Sequence, residues 1–177
     1  MNGLKLIEQA LKLQEVERVP WVPFVGVHGG KLVEVDATAY MQSAQHMIAG
    51  VSRAIELYKP DGIPVVFDLQ VEAEILGCKL AWSKENPPAV ISHPLIEGTD
   101  LKSLALPQET DGRIPLILEA TRQLRTQHPG IALYGLITGP FTLALHLLGT
   151  EIFMKLFEAP EYIGELMQFC TDFGIKY

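Results

Sequence analysis

The stretch Ile63-Pro-Val-Val-Phe-Asp68-Leu-Gln-Val-Glu72-Ala-Glu74-Ile-Leu-Gly77-Cys78 decides the fold. Its apolar run, residues 63–67, has the length and the lack of alternation of a strand buried on both faces. It stops at a carboxylate, and a helical period follows over residues 70–76. Strand, acid, helix is the order of a βα unit, in which binding groups gather at the carboxyl end of the strand, so Asp68 is the first functional candidate. Spacing alone equally allows Asp68 to be only the cap of the helix that follows.

Working outward, two further apolar runs read as strands. Residues 21–25 are closed by Gly26 and Gly29-Gly30, and residues 131–137 lead into Thr138-Gly-Pro-Phe-Thr142. Helical spacing appears over residues 3–13, with Asn2 as cap and Leu4, Ile7 and Leu11 on the inner face. It appears again over residues 36–58, 113–127 and 143–148, and in one or two helices within 151–177 divided at Ala159-Pro160. Residues 78–82 and 89–92 flank Asn86-Pro-Pro and predict an inserted hairpin, and residues 101–107 predict a short helical turn. Strands separated by helices imply a parallel sheet with helical crossovers, and hence an α/β fold. A whole (β/α)₈ barrel typically needs about 250 residues, and this chain has 177. The expectation is therefore a partial (β/α)₈ TIM barrel of about three parallel strands with crossover helices and an inserted β-hairpin. The open edges of such a piece predict self-association or a missing second half.

Composition narrows the function. Fourteen Lys and Arg against 21 Asp and Glu give a net charge of −7 with no basic run, which argues against a nucleic-acid partner. The apolar stretches are short and interrupted, so neither a membrane segment nor an export signal is predicted, and a cytoplasmic location is expected. Cys78 and Cys170 lack metal-type spacing and read as core thiols. His28 sits in a glycine-rich loop after the first strand, where either a surface or a binding role is open. Glu72 and Glu74, two apart on a helix, must diverge, so at most one faces a pocket, and Glu74 is read as solvated. His146 lies among Leu143, Leu145, Leu147 and Leu148, where a hydrogen-bonded core histidine and a base are both open. Phe141 and Trp82 are read as packing residues before cofactor contacts.

Phe67-Asp68-Leu-Gln-Val-Glu72-Ala-Glu74-Ile-Leu-Gly77-Cys78 resembles the uroporphyrinogen decarboxylase superfamily, in wording nearer to its methylcobalamin:coenzyme M methyltransferases. Gly139-Pro-Phe-Thr-Leu-Ala-Leu-His146-Leu-Leu-Gly149 is similar to the segment after the third strand of that superfamily. The resemblance makes residues 1–177 the N-terminal portion of such a barrel. It implies Asp68 and His146 as catalytic residues, with His28, Glu72, Thr138, Gly139 and Phe141 binding substrate. The full-length parent would move a methyl group from methylcobalamin, a corrinoid, to a small thiol with the help of zinc. In the family the zinc ligands are a His-x-Cys pair and a further Cys of the C-terminal half, so this chain alone is expected to bind neither zinc nor corrinoid as a cofactor. Uroporphyrinogen decarboxylase itself is the alternative. That enzyme carries arginines after its first strand for a substrate with eight carboxylates, whereas Val25-Gly-Val-His28-Gly-Gly-Lys31 has none. A third reading is a non-catalytic half-barrel module that docks on a corrinoid protein.

Overall fold

The structure, a computed structural model, describes residues 2–177. Contacts divide the chain into two compact units. The first comprises the described residues up to Asp68 with Ser83–Pro87 and Pro115–Leu136; the second comprises Leu69–Trp82, Pro88–Ile114 and Ile137–Tyr177.

In the first unit, β1 (Gly62–Pro64) and β4 (Ala132–Tyr134) pair in parallel, Gly62 opposite Ala132 and Pro64 opposite Tyr134. The pairing continues one step further, where Val65 N–H donates to the Tyr134 carbonyl at 3.2 Å. This parallel pair, with helical segments between its strands, agrees with the α/β expectation. The predicted strand at residues 21–25 forms no ladder. Its tie to the sheet is local: Asp61 N–H donates to the Trp21 carbonyl at 2.9 Å, and Trp21 N–H donates to Asp61 Oδ2 at 2.8 Å. Pro23 explains the difference, because it has no N–H to give a ladder.

Helix α1 (Gly3–Leu11) lies on both strands and starts as predicted, with Asn2 Oδ1 accepting from Lys5 N–H at 3.0 Å. It ends two residues early, so Leu6 becomes the buried side chain and Leu11 is 78% exposed. The predicted 36–58 helix is two helices, α3 (Ala37–Met41) capped by Asp36 and α4 (Ala44–Tyr58) capped by Ser43. The glycine loop around His28 contains a further helix, α2 (His28–Lys31), packed against α4. A Cβ on Gly50 of α4 would meet the Gly29 carbonyl oxygen at 2.6 Å, so glycine here permits helix backbones to touch. Helix α6 (Ile114–Gln127) carries the chain to β4.

Asp61 is the electrostatic anchor of this unit. The exposed Arg18 guanidinium meets it bidentately, Nη1 to Oδ2 and Nη2 to Oδ1, both at 2.6 Å. The guanidinium, followed by the Trp21 N–H, holds the Asp61 carboxyl below its ordinary pKa against the opposing effect of burial. The stabilisation is complete above the unfolded carboxyl's pKa of about 4 and is lost as pH falls through the lower folded value. Thermal melts of wild type and Asp61→Asn between pH 7 and 3 should show a gap in Tm that closes toward the acid end. A gap that does not change with pH would exclude this pair as its source.

The second unit is built on α5 (Val71–Ile75), α7 (Pro140–Leu148), α8 (Glu151–Glu158) and α9 (Pro160–Lys176). Leu143, Ala144 and Leu147 of α7, Ile152 of α8, and Ile163, Leu166, Cys170 and Phe173 of α9 form one apolar cluster with Ala73 and Leu76. The inserted hairpin pairs β2 (Leu80–Ala81) antiparallel with β3 (Ala89–Val90), as predicted, and a single 3₁₀ turn occupies Leu101–Ser103.

Candidate functional site

The carboxyl ends of parallel strands are where such folds collect binding residues, and the candidate Asp68 follows β1 there. In the first unit Asp68 follows β1 at 4% exposure, so it is no surface acid. The N-cap position of α5 itself is held by Gln70. Beside it in sequence, Phe67 packs against Phe24 with ring centres 5.0 Å apart, and Phe24 meets the Tyr134 ring edge-on at 6.5 Å. Phe24 keeps 61% of its surface exposed, so the cluster presents an aromatic face. Gly26, at φ +51°, lets the chain turn close under Phe67: a Cβ there would lie 3.4 Å from the ring. The sequence reading missed this trio. Its signal was one aromatic late in each of the first two apolar runs, Phe24 and Phe67, and one inside the third, Tyr134.

His28 is exposed on the first residue of α2, with Nε2 at 2.8 Å from the Tyr58 hydroxyl and the two rings stacked 6.0 Å apart.

In the second unit the structure brings together Glu72, Thr138 and Gly139. Glu72 is 1% exposed, and its Oε1 accepts from Thr138 N–H at 2.6 Å. The Thr138 hydroxyl lies 3.1 Å from Glu72 Oε2 and 2.9 Å from the Leu69 carbonyl, bridging the carboxyl to the backbone next to Asp68. This clasp fixes the turn that starts α7, where Gly139 is the N-cap and Pro140 the first helical residue, whose missing N–H is no loss there. Glu72 and Glu74 diverge, as their spacing required. Glu74 is not simply solvated: it accepts from Arg113 Nε at 2.7 Å, and the Arg113 guanidinium lies 4.9 Å from the Trp82 ring centre.

Phe141 is 43% exposed and faces Phe153 at 6.3 Å, while His146 lies in the last turn of α7. The Nδ1 atom of His146 is buried without a hydrogen-bond partner, and burial, followed by the nearby His93, lowers the imidazole's pKa. His146 therefore favours the neutral form. The end of α7 is closed by donors from the hairpin segment. His93 Nδ1 donates to the His146 carbonyl at 2.8 Å, Cys78 Sγ donates to the same oxygen at 3.4 Å, and Leu95 N–H donates to the Leu147 carbonyl at 3.1 Å. A separate cleft of about 620 Å³ is lined by Glu74, Gly77, Glu97, Ser103, Asp111 and neighbours, with none of Glu72, Thr138, Phe141 or His146 on its wall.

Among the described residues the side chains do not fit zinc. A soft site needs thiolates, and burial pushes both the Cys78 and Cys170 thiols up to about 12, with Glu97 adding to the effect at Cys78. Among the described residues no three His, Cys, Asp or Glu side chains are placed to hold a metal ion.

The family model described as uroporphyrinogen decarboxylase (URO-D) matches residues 3–177, a range that contains both segments quoted above for their resemblance. A methylcobamide:CoM methyltransferase of Methanosarcina acetivorans is 30% identical over 174 residues, covering 96% of this chain and 51% of that protein. A methylated-thiol–coenzyme M methyltransferase of Methanosarcina mazei is 36% identical over 113 residues, 63% of this chain and 30% of that one. Among solved structures, a methyltransferase from Methanosarcina mazei superposes with a TM-score of 0.86 at 25% identity, covering 97% of this chain and 53% of the other. The chain thus spans about half the length of the curated relatives it matches.

Proposed function

Because this chain belongs to the uroporphyrinogen decarboxylase family, we propose that it is the first half of a (β/α)₈ enzyme that moves a methyl group from a corrinoid to a thiol. The observation that carries the reading furthest is a buried Asp68 after β1, next in sequence to Phe67 of the partly exposed Phe24, Phe67 and Tyr134 face. An aromatic face of this kind suits the apolar side of a large planar ring and keeps water off it. Asp68 offers a carboxyl that accepts hydrogen bonds from the bound molecule. The Glu72–Thr138 clasp fixes the turn leading into α7. The family's thiol-activating metal has no place among the described residues, so its ligands would come from the second half.

The decarboxylase alternative lacks the cations it needs: residues 25–31 hold Lys31 alone against a substrate with many carboxylates. The test joins this chain to the segment of the Methanosarcina mazei methyltransferase that it does not match, then supplies zinc, methylcobalamin and coenzyme M. Demethylation of the corrinoid is expected. Asp68→Asn should lower kcat/KM by roughly 10- to 100-fold, the scale of one hydrogen bond to a charged group. No transfer to any of a panel of thiols, or coproporphyrinogen formed from uroporphyrinogen, would sink the reading.

A further inference from the structure

Two imidazoles meet at the end of α7. The carbonyls of a last helical turn have no partner within the helix. Here His93 Nδ1 and Cys78 Sγ both donate to that of His146, and Leu95 N–H donates to that of Leu147. The His93 ring is closely seated, since a Cβ on Gly149 would lie 2.9 Å from its Cδ2. A helix C-terminus accommodates positive charge, so a protonated His93 still donates to the His146 carbonyl. His146 is the opposite case. Its Nδ1 is buried with no hydrogen-bond partner, whereas an imidazolium donates from both nitrogens, so a proton there leaves a buried donor with nothing to receive it. It also sets two positive rings against each other. The charged groups of the other elements packed on α7 are engaged or turned outward. Glu72 of α5 is bound to Thr138 and Glu74 to Arg113, and Lys155 of α8 lies over the Tyr162 ring. Glu151, Glu158, Glu161, Glu165, Asp172 and Lys176 of α8 and α9 are exposed. Glu97, beyond the hairpin, acts on Cys78.

We propose that His93 and His146 form an acid-released latch, which holds the stems of the hairpin to the end of α7 and lets go when both rings are protonated. A proton on His93 alone leaves it closed; a further proton on His146 opens it. Burial, followed by His93, lowers the His146 pKa, in line with this order. The closed form is therefore fully favoured above the ordinary imidazole value of about 6.5 and loses ground as pH falls toward the lower folded value. Helix α7 starts at the Glu72–Thr138 clasp, so one helix is held by a carboxylate at its start and by imidazoles at its end. The latch is independent of the proposed reaction.

Cys78 reports on the latch, because its thiol is buried against the same carbonyl. The chain is labelled with a dipyridyl disulfide, which reacts with thiols in mild acid, and each cysteine is quantified by mass spectrometry against glutathione at the same pH. From pH 7 to pH 5 the relative rate at Cys78 should rise roughly 3- to 10-fold, within the limit of about tenfold per pH unit set by one extra proton bound on opening. The relative rate at Cys170, buried in the core of the same unit, should not change. The rise should vanish in His146→Gln, which cannot titrate, and shrink in His93→Gln, which keeps an N–H donor without the charge. Glu97→Gln should retain it. A flat Cys78 rate in the wild type overturns the latch, as does a parallel rise at Cys170, which would be general unfolding. A rise that persists in His146→Gln, is undiminished in His93→Gln or disappears in Glu97→Gln also overturns it.

Discussion

Phe173→Ala should destabilise the protein by about 3–5 kcal/mol. Phe173 has no exposed surface and sits in the cluster that joins α9 to α7, next to Leu166, Cys170 and the Phe169 ring at 6.2 Å. Truncation removes the transfer free energy of an aromatic ring and leaves a cavity that the packed helices close only in part. Against a total of about 5–15 kcal/mol for a folded chain, that is a third or more of the margin. At this size the melting temperature should fall by roughly 6–20 °C, readable by circular dichroism. Phe169→Ala, at a partly buried position packed against the same cluster, should cost clearly less. Equal losses for the two would show that the cluster is not the keystone described.

The second large effect is expected at Glu72. Alanine there removes the acceptor of a buried backbone N–H held at 2.6 Å, and a buried donor left without a partner costs about 1–3 kcal/mol in itself. The Thr138 hydroxyl can still turn to the Leu69 carbonyl, so that part of the clasp survives. Adding the loss of packing around a fully buried side chain, Glu72→Ala should cost about 2–4 kcal/mol. The Thr138 amide should then exchange with solvent roughly 30- to 700-fold faster, at about tenfold per 1.4 kcal/mol. Glu72→Gln separates geometry from charge, because its amide oxygen can accept the same N–H and its amino group can donate to the hydroxyl. Glu72→Gln should therefore retain most of the stability. A glutamine variant as damaged as alanine would mean that the charge, and not the hydrogen-bond pattern, holds the turn.

These residues also mark what a single sequence could disclose. The βα order around Asp68, the hairpin and the stop at Ala159-Pro160 were legible because local chemistry decides them: apolar runs, prolines and caps within a few residues. Ser43 was legible too and went unread; its hydroxyl accepts from His46 N–H at 3.3 Å and starts a second helix where continuous spacing suggested one. The glycines after residue 25 misled for a physical reason. Gly29 was read as closing a strand, yet it and Gly50 let α2 and α4 meet backbone to backbone. Glu74 was read as solvated because its partner, Arg113, lies 39 positions away, and nothing local announces it. Glu72 shows the same limit from the other side. Its spacing from Glu74 required divergence, but only the fold shows that it turns inward to Thr138.

The closure of α7 by Cys78, His93 and Leu95 sets where this chain tolerates changes of length. The donors flank the hairpin on both sides, one before β2 and two after β3, and the ladder is lengthened by Ile91 N–H to the Lys79 carbonyl and Lys79 N–H to Ser92 Oγ. Shortening the tip between Trp82 and Pro88 gives up two hydrogen bonds, from Ala37 N–H and the Thr38 hydroxyl to carbonyls of the tip, and leaves the closure of α7 untouched. Removing the hairpin together with both stems, residues 78–95, would strip the helix of three donors at once. Natural variants of this segment should therefore differ in the length of the tip and agree in the length of its two stems.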